Sequence, residues 1–427
     1  PELSYCHRLS GMLSYVHEVM TMKNTLWTKN FMLLICATTL GTVGSIAGSF
    51  ALSFLVFDET GSTLAAALIL ATQMIPGFLI PTFVAPWMDR FPRKPFLVAG
   101  DLVNGIIYGL GGIYLLTRPF TYMGYLAFSL LLACLGSFDS LAYSSIYPNL
   151  ITKGMEEKGY AVSAMLYPVL NVLMMPLAAL LMDTIGVAWI LIGQGALSLL
   201  AAGTESFIQL KEEDRLGGQK YSAALWWQDL KDGISYLRRE RGLQGIYRYM
   251  AVTNGVARGY GPLLIAFFRT MPGMTSVMYA LFSVAEFLGR SIGGVFCYRM
   301  QIEKKKKYGF AFLVYQIYEV MDMSLLWLPY PLMLLNRGLC GFLGINSATM
   351  RQTAVQRYIP DAYRARVNAF SEVMILAMGS IFSLLIGALG EIMDFRLCMT
   401  LCSAFTLVVC WGTIGRRRKE ISQIYEA

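Results

Sequence analysis

The charged residues that interrupt long apolar stretches are the first candidates for chemistry in this sequence. An ionisable side chain inside a membrane-like environment costs at least ~2.5 kcal/mol, so it usually pairs with an opposite charge or lines a water-filled cavity. A carboxylate in such a place can bind and release a proton, and a group of charges can hold a polar ligand. The candidates for proton exchange or ligand binding are Glu286, Arg258, Asp322, Glu319, Arg337, Asn336, Glu372, Asp139, Tyr167 and Asn171.

Two interpretations of the charges in the C-terminal half are open at this point. In the first, Glu286 or Asp322 exchanges a proton, and Glu286 is preferred because it lies near the middle of its apolar stretch. In the second, Arg258 pairs with Glu286 and Arg337 pairs with Glu319. These static ion pairs would then hold helices together.

The N-terminal half offers fewer ionisable candidates. Asp101 closely follows a basic cluster at residues 89–94, so we expect it to belong to the local network of that cluster. Asp139 is either a second proton carrier or a partner in the same network. Tyr167 and Asn171 add polar groups in the next apolar stretch.

The elements that must position these residues are membrane-spanning helices. Of the 427 residues, 56% are apolar and only 15% are charged, whereas a soluble domain carries roughly 25% charged residues. With ~20 apolar residues for each crossing, the chain has room for about twelve spans. We predict an all-α polytopic membrane protein with spans near residues 31–57, 62–87, 96–117, 121–146, 162–182, 186–208, 246–268, 275–297, 308–327, 331–349, 367–390 and 397–415.

One long polar stretch divides the chain into two halves of six spans each. Its segment from Trp226 to Leu237 has the pattern of an amphipathic helix that lies on the membrane surface. The predicted organisation is an N-terminal extension at 1–21, a six-helix bundle at 22–208, a cytoplasmic linker at 209–245, a second six-helix bundle at 246–415 and a cytoplasmic tail at 416–427.

Lysine and arginine gather on one side of the predicted membrane. Outside the spans, nearly all lysines and arginines lie in the termini, the linker and the loops after even-numbered spans. The opposite loops carry only Arg118, Arg269 and Arg396. The positive-inside rule therefore predicts a multi-pass protein of the cell (inner) membrane with both termini cytoplasmic. Because the basic residues follow the topology, the net charge of +8 does not indicate a nucleic-acid partner.

The sequence lacks the residue patterns of nucleotide, zinc and cofactor sites. It contains no GxxxxGK[ST] nucleotide loop and no HExxH or Cys/His cluster. Its two histidines, His7 and His17, precede the first span, so a carboxylate must carry any proton. We expect a monomer without cofactor or metal that works with a small-molecule substrate, protons and the lipid bilayer. A membrane-embedded enzyme or assembly factor is the alternative from another class.

The loop after the second predicted span carries a recognisable motif. Residues 85–94 (APWMDRFPRK) are similar to the GxxxDRxGRK motif of the major facilitator superfamily, although Ala85 and Pro92 replace its two glycines. Residues 352–369 (QTAVQRYIPDAYRARVNA) resemble the segment before span 11 in one branch of that family. This branch includes the enterobactin exporter and the macrolide efflux proteins.

The resemblance implies a fold and an activity. The expected fold is the major facilitator fold, in which two six-helix bundles surround a central cavity and rock to alternate its access. The expected activity is proton-coupled efflux of an amphipathic organic compound such as a drug, an antibiotic or a siderophore. Uptake, or transport of a lipid or nutrient, on the same scaffold is the alternative.

The basic loop is also expected to act as a cytoplasmic gate. In this hypothesis Asp89 faces the positively polarised N-terminus of span 11 and the arginines there, and so bridges the two bundles. A solvated loop that only obeys the positive-inside rule is the alternative. The predicted gating residues are Asp89, Arg90, Arg93, Lys94, Arg364 and Arg366.

Overall fold

The computed structural model describes residues 26–88, 93–152, 154–209, 228, 231, 234–299 and 302–426. They include twelve long helices and one short C-terminal helix, and they contain no β-strand. The helices are α1 (Lys29–Thr60), α2 (Thr63–Met88), α3 (Arg93–Thr117), α4 (Tyr122–Leu150), α5 (Glu156–Ile185), α6 (Val187–Ser206), α7 (Arg241–Thr270), α8 (Ser276–Arg299), α9 (Lys304–Ser324), α10 (Tyr330–Tyr358), α11 (Asp361–Ile392), α12 (Phe395–Cys410) and α13 (Arg418–Glu426).

Some of the sequence predictions concern parts of the chain outside these ranges. The predicted extension at 1–21 and the gating residues Asp89 and Arg90 lie outside the described residues. Most of the predicted linker helix between Trp226 and Leu237 lies outside them as well. These predictions therefore stay predictions.

Several helices begin or end at residues with the appropriate capping chemistry. Thr28 precedes α1, and its Oγ1 accepts a hydrogen bond of 3.2 Å from the N–H of Phe31. Gly61 follows α1 with a φ of 65°, a left-handed conformation that glycine adopts without strain. Asp394 precedes α12 and accepts a hydrogen bond from the N–H of Arg396. These caps end the apolar helices abruptly and allow short loops.

Eight of the described helices are long and apolar enough to cross a membrane, namely α1, α3 to α6, α8, α11 and α12. A further apolar segment, Thr63–Gly77, lies in α2. The remaining long helices, α7, α9 and α10, are less apolar because they carry charged residues such as Arg258, Asp322 and Arg337. All twelve belong to the same architecture, which confirms the predicted polytopic all-α fold.

The twelve helices pack as two bundles of six. In the first bundle α6 packs on α1 and α3, and α2 packs on α4; in the second, α8 packs on α10 and α7 on α11. Glycines permit the closest of these contacts. A Cβ atom at Gly289 would collide with the carbonyl oxygen of Gly338 on α10. The predicted arrangement of twelve spans in two six-helix bundles is therefore confirmed.

The ends of the helices define two faces of the molecule. The odd-loop face carries the loops after α1, α3, α5, α7, α9 and α11, and the even-loop face carries the other loops and α13. The two bundles touch mainly towards the odd-loop face, where α2 packs on α11 and α5 on α8. There, Phe54, Ala179, Ala266 and Ala280, from four different helices, share one buried cluster. The bundles are thus closed against each other at the odd-loop face.

The short helix α13 packs beneath the second bundle at the even-loop face. Ile421, Ile424 and Tyr425 are buried against α7, α9 and α10. The Tyr425 hydroxyl lies 3.1 Å from the hydroxyl of Tyr315 on α9. The segment predicted as a cytoplasmic tail therefore forms a helix docked on the bundle.

Candidate functional site

A cavity of about 740 Å³ lies within the first bundle. Residues of α1 to α6 line it, together with Pro262 and Ile265 of α7, so the cavity reaches the boundary between the bundles. Its surface is unusually polar for a membrane interior, which suits a polar ligand. The hydroxyl and amide side chains that line it include Thr38, Thr42, Ser45, Ser49, Ser53, Gln73, Asn104, Ser137, Ser140, Gln194 and Ser198.

Three carboxyl groups from three helices line this cavity. They belong to Asp101 of α3, Asp139 of α4 and Glu205 of α6, and they interact electrostatically with one another. Asp101 is 7% exposed and Glu205 is 3% exposed. None of the described residues that line the cavity is Lys, Arg or His. Like charges repel strongly in a low-dielectric site, so the three groups are suited to hold a proton or another cation.

Several buried oxygen atoms of the cavity residues accept no hydrogen bond from the described protein groups. They are Oδ1 of Asp139, Oε2 of Glu205, Oδ1 of Asn104 and Oε1 of Gln194. All four atoms are acceptors, and a buried acceptor without a donor is costly. Two of them pack against glycines of neighbouring helices, Gln194 Oε1 against Gly48 and Asp139 Oδ1 against Gly100.

Two basic side chains of the predicted gate lie at the even-loop end of the same bundle. Arg93 Nη1 donates a hydrogen bond of 2.6 Å to the carbonyl oxygen of Ser145 on α4. Lys94 Nζ donates one of 2.6 Å to the carbonyl oxygen of Ser206 on α6. Both side chains thus bind helix ends within the first bundle. The side chains of two other predicted gating residues lie outside the described part of the chain: Arg364 and Arg366.

Helix α5 contributes one of its two predicted site residues to the cavity. Tyr167 lines it and is 61% exposed. Asn171 follows one helical turn later and is half-buried, but it is not among the described residues that line the cavity. Tyr167 and Asp139, two predicted site residues from different helices, therefore line the same cavity.

In the second bundle Glu319 lies in a buried network of hydroxyl groups. Its carboxylate accepts hydrogen bonds from the Tyr249 hydroxyl at 3.2 Å and from Thr253 Oγ1 at 3.1 Å. Thr406 Oγ1 donates a third hydrogen bond to it. Only 3% of Glu319 is exposed. These contacts connect α9 to α7 and α12, so their geometry is that of a structural network.

Arg337 and Asp322 form a buried ion pair between α10 and α9. Arg337 Nη2 lies 3.2 Å from Asp322 Oδ1, and their side chains are 10% and 6% exposed. Asn336, the neighbour of Arg337, donates a hydrogen bond of 2.9 Å to the Met321 carbonyl oxygen. The partner of Arg337 is therefore Asp322, which lies about one turn from the expected partner Glu319.

The three remaining candidates in the second bundle are more exposed. Glu286 pairs with Arg290 on its own helix at 2.7 Å, and among the ion pairs of the described residues it does not pair with Arg258. Arg258 is exposed on α7, and its Cδ lies beside Gly379 of α11. Glu372 is an exposed residue of α11. The structure thus separates these residues from the paired charges inside the bundle.

An ionic cluster joins the two bundles at the odd-loop face. Arg269 of α7 lies 2.8 Å from Asp58 of α1 and 3.9 Å from Asp183 of α5. Ser276 of α8 donates a hydrogen bond of 2.7 Å to the same Asp183. The Arg269 guanidinium also lies 4.9 Å from the centre of the Phe54 ring. All of these contacts hold the odd-loop face closed.

Glu391 forms a second connection on this face. At the end of α11 it accepts hydrogen bonds from Ser62 Oγ at 2.7 Å and from the N–H of Leu64 at 3.0 Å. Thr63 Oγ1 also lies within hydrogen-bonding distance of it. A carboxylate of the second bundle thereby caps the N-terminus of α2, where the helix dipole is positive.

Comparison with known protein families decides what this two-bundle structure is. The family described as Major Facilitator Superfamily matches residues 33–318, which is more than half of the chain. The chain belongs to the Major Facilitator Superfamily. The family that residues 85–94 suggested is thereby confirmed. Comparison with curated protein sequences gives no significant match.

Solved structures of other transporters share the fold of this major facilitator. A mutant of the nucleoside transporter NupG has a TM-score of 0.71 and 12% identity, and the match covers 91% of this chain and 100% of that one. A bacterial homologue of the human lysosomal transporter Spinster, inward-facing and unoccupied, has a TM-score of 0.62 and 13% identity, with 93% of each chain covered. A bacterial metal transporter has a TM-score of 0.61 and 16% identity, with 92% and 100% covered. At these identities the likeness concerns the fold alone.

As a major facilitator, the chain is a membrane transporter. Its fold makes the first-bundle cavity the candidate binding site, and this cavity contains one acid that sequence inspection does not single out. Glu205 lies four residues before the polar linker, so it resembles a residue of a helix end. One feature of the sequence does point to Glu205, because it is the only acid of the predicted sixth span, residues 186–208.

Proposed function

We propose that this major facilitator is a proton-coupled exporter of an amphipathic organic cation. Asp101, Asp139 and Glu205 bind a proton and the cationic group of the substrate in turn. The observation that carries the proposal is the set of three carboxyl groups in one polar cavity, where no described lining residue is basic.

Competition for the same carboxyl groups supports coupling between proton and substrate. A cation bound beside Asp101 and Glu205 stabilises their ionised forms, and a proton bound there neutralises them. The two ligands therefore exclude each other. A carrier whose two ligands compete for one site exchanges them across the membrane, and an inward proton gradient then drives the organic cation outward.

The polar lining of the cavity supports the choice of a cation with N–H groups. Carboxyl, hydroxyl and amide oxygens accept hydrogen bonds, and a guanidinium group offers five donors in a fixed plane. Such a group would add both charge and hydrogen bonds. An anionic substrate would add charge of the same sign as the three carboxyl groups.

Alternating access follows from the position of the closed face. The distribution of Lys and Arg is the ground for taking the even-loop face as cytoplasmic. Export then requires that the contacts of Arg269 and Glu391 open on each cycle while the even-loop face closes. The gate formed by Asp89, Arg93 and Lys94 with the N-terminal turn of α11 is proposed to stabilise that second state. The resemblance to the enterobactin exporter and macrolide efflux branch also supports export.

Purified protein in sealed liposomes tests this function. The probe is n-hexylguanidinium, which stays charged throughout the working pH range. With an acidic interior, an exchanger accumulates the probe inside while protons leave, and the gradient falls faster when the probe is added. Probe accumulation under an alkaline interior instead would contradict exchange and would favour symport.

Two variants locate the proton site in the same assay. Glu205→Gln should remove most gradient-driven accumulation while leaving the protein folded and inserted. Glu286→Gln is the matched comparison, because Glu286 is the first candidate from the sequence and lies in the second bundle. Loss of coupling in the Glu286 variant, with normal coupling in the Glu205 variant, would move the proton site to the second bundle.

A further inference from the structure

A second cavity of about 430 Å³ lies beside the first one, between α3 and α4 in the half of the bundle towards the odd-loop face. Its lining is apolar and aromatic, and includes Ile107, Leu110, Tyr114, Phe120 and Phe128. Leu110 is 60% exposed, so the cavity opens to the outer surface of the bundle, where the lipid lies. This cavity suits an alkyl or aryl group that arrives from the bilayer.

A thin wall separates this apolar cavity from the polar one. Leu52 of α1 and Tyr125 of α4 line both cavities, and both residues are buried. The Tyr125 hydroxyl donates a hydrogen bond of 3.1 Å to the Leu52 carbonyl oxygen. One tyrosine side chain therefore stands between the polar and the apolar space.

The hydrogen bond of Tyr125 connects two helices of the first bundle, α4 and α1. Ser129, about one helical turn further along α4, is fully buried, and its Oγ has no partner among the described groups. A rotation of the Tyr125 side chain away from Leu52 would break the contact between α4 and α1 that this hydroxyl makes.

We infer that the apolar cavity binds the tail of the transported cation, and that Tyr125 is the movable wall between the tail site and the polar head site. This inference rests on the proposed function, because it assigns the head of the same molecule to the acidic cavity. Because the two cavities share Leu52 and Tyr125 in their lining, the tail of the substrate is favoured over a lipid chain as the occupant. The substrate class is then a cation with one alkyl or aryl tail.

Equilibrium binding of n-alkylguanidinium ions of increasing chain length tests the tail site. Binding is measured in lipid nanodiscs without any gradient, so that the result does not depend on proton coupling. Each methylene that enters the apolar cavity should tighten binding by up to about fourfold. Ile107→Trp fills the cavity and should abolish this increment.

The neighbouring variant Ile106→Trp is the matched control. Ile106 is 48% exposed and is not among the described residues that line the cavity. In this variant, binding should tighten with each added methylene as much as in the unmodified protein. Comparison with it also corrects for the simple partition of longer alkyl chains into lipid. An equal increment in both variants would overturn the tail site and leave the proposed function intact. Absence of binding for every chain length would contradict the proposed function itself.

Photochemical labelling gives a test that does not depend on a substitution in the cavity. Octylguanidinium with a diazirine at the end of its tail is bound and illuminated, and the labelled peptides are identified. Labels on α3 and α4 between Ile107 and Phe128 that disappear with excess octylguanidinium support the site. Competed labels confined to residues outside the lining of the apolar cavity would overturn it.

Tyr125→Phe tests the movable wall. The variant keeps the ring and loses the hydrogen bond to Leu52, so the tail should enter several-fold faster, with a smaller change in equilibrium affinity. Tyr114→Phe is the matched control, because Tyr114 lines the apolar cavity alone. An unchanged association rate in the Tyr125 variant would rule out the proposed wall.

Discussion

Glu391 at the end of α11 accepts a 3.0 Å hydrogen bond from the backbone N–H of Leu64 at the start of α2. The two residues are 327 positions apart and belong to different bundles. The negative carboxylate therefore satisfies an otherwise free helix N–H and meets the positive end of the helix dipole. Together with Arg269 and Asp58, this contact closes the odd-loop face.

Glu391→Gln should shift the protein towards the state in which the odd-loop face is open. The amide is neutral, so the capped end of α2 loses its charge interaction. Because Glu391 is exposed and glutamine keeps an acceptor oxygen, the loss is about 0.3–1 kcal/mol, which raises the open fraction relative to the closed fraction about two- to fivefold. Spin labels at the exposed positions 118 and 272, in a background without native cysteines, report the distance between the bundles.

Glu59→Gln is the control for this experiment. Glu59 is an exposed acid on the same face, and none of the described hydrogen bonds or ion pairs connects it to the second bundle. Its distance distribution should match that of the unmodified protein. An equal shift in both variants would mean that general surface charge, and not the cap on α2, sets the equilibrium.

Thr406→Val should destabilise the second bundle. Thr406 donates a hydrogen bond to the buried carboxylate of Glu319, and valine has nearly the same shape without the donor. Leaving a buried acceptor with one donor fewer costs about 1–3 kcal/mol, so the thermal unfolding temperature should fall. Thr413→Val is the comparison, because the Thr413 hydroxyl binds the Val409 carbonyl of its own helix. Equal unfolding temperatures for the two variants would contradict a structural role of the Glu319 network.

Gly289→Ala should disrupt the packing of α8 on α10. Its Cβ would collide with the carbonyl oxygen of Gly338, which is backbone and cannot rotate away. Gly294→Ala on the same helix meets no atom within 4 Å and should be neutral or slightly stabilising. The yield of monodisperse protein and its unfolding temperature measure the difference. A folded, undisturbed Gly289 variant would contradict the close approach of the two helices.

The overall architecture follows from the sequence because it depends on local patterns. Apolar runs of the length of a bilayer define the helices, and the polar stretch after the sixth run divides them into two bundles. The spacing of Gly289 and Gly293 along one apolar run is by itself typical of a close helix contact. These features need no knowledge of which helix packs against which.

The sites depend on tertiary contacts, and there the sequence is less informative. Asp101, Asp139 and Glu205 come from three helices, and only the packing of α3 on α4 and α6 brings them into one cavity. Arg337 pairs with Asp322 and not with Glu319, because side-chain direction decides between two acids one turn apart. Spacing in the sequence does not determine that direction.

Proton release on substrate binding tests the central claim most directly. Purified protein in a weakly buffered solution, without liposomes or a gradient, is mixed with n-hexylguanidinium while a dye records the pH. If Asp101, Asp139 and Glu205 exchange a proton for the cation, binding should release protons, and Glu205→Gln should release fewer. Binding of the probe without proton release, or undiminished release in the Glu205 variant, would contradict the account.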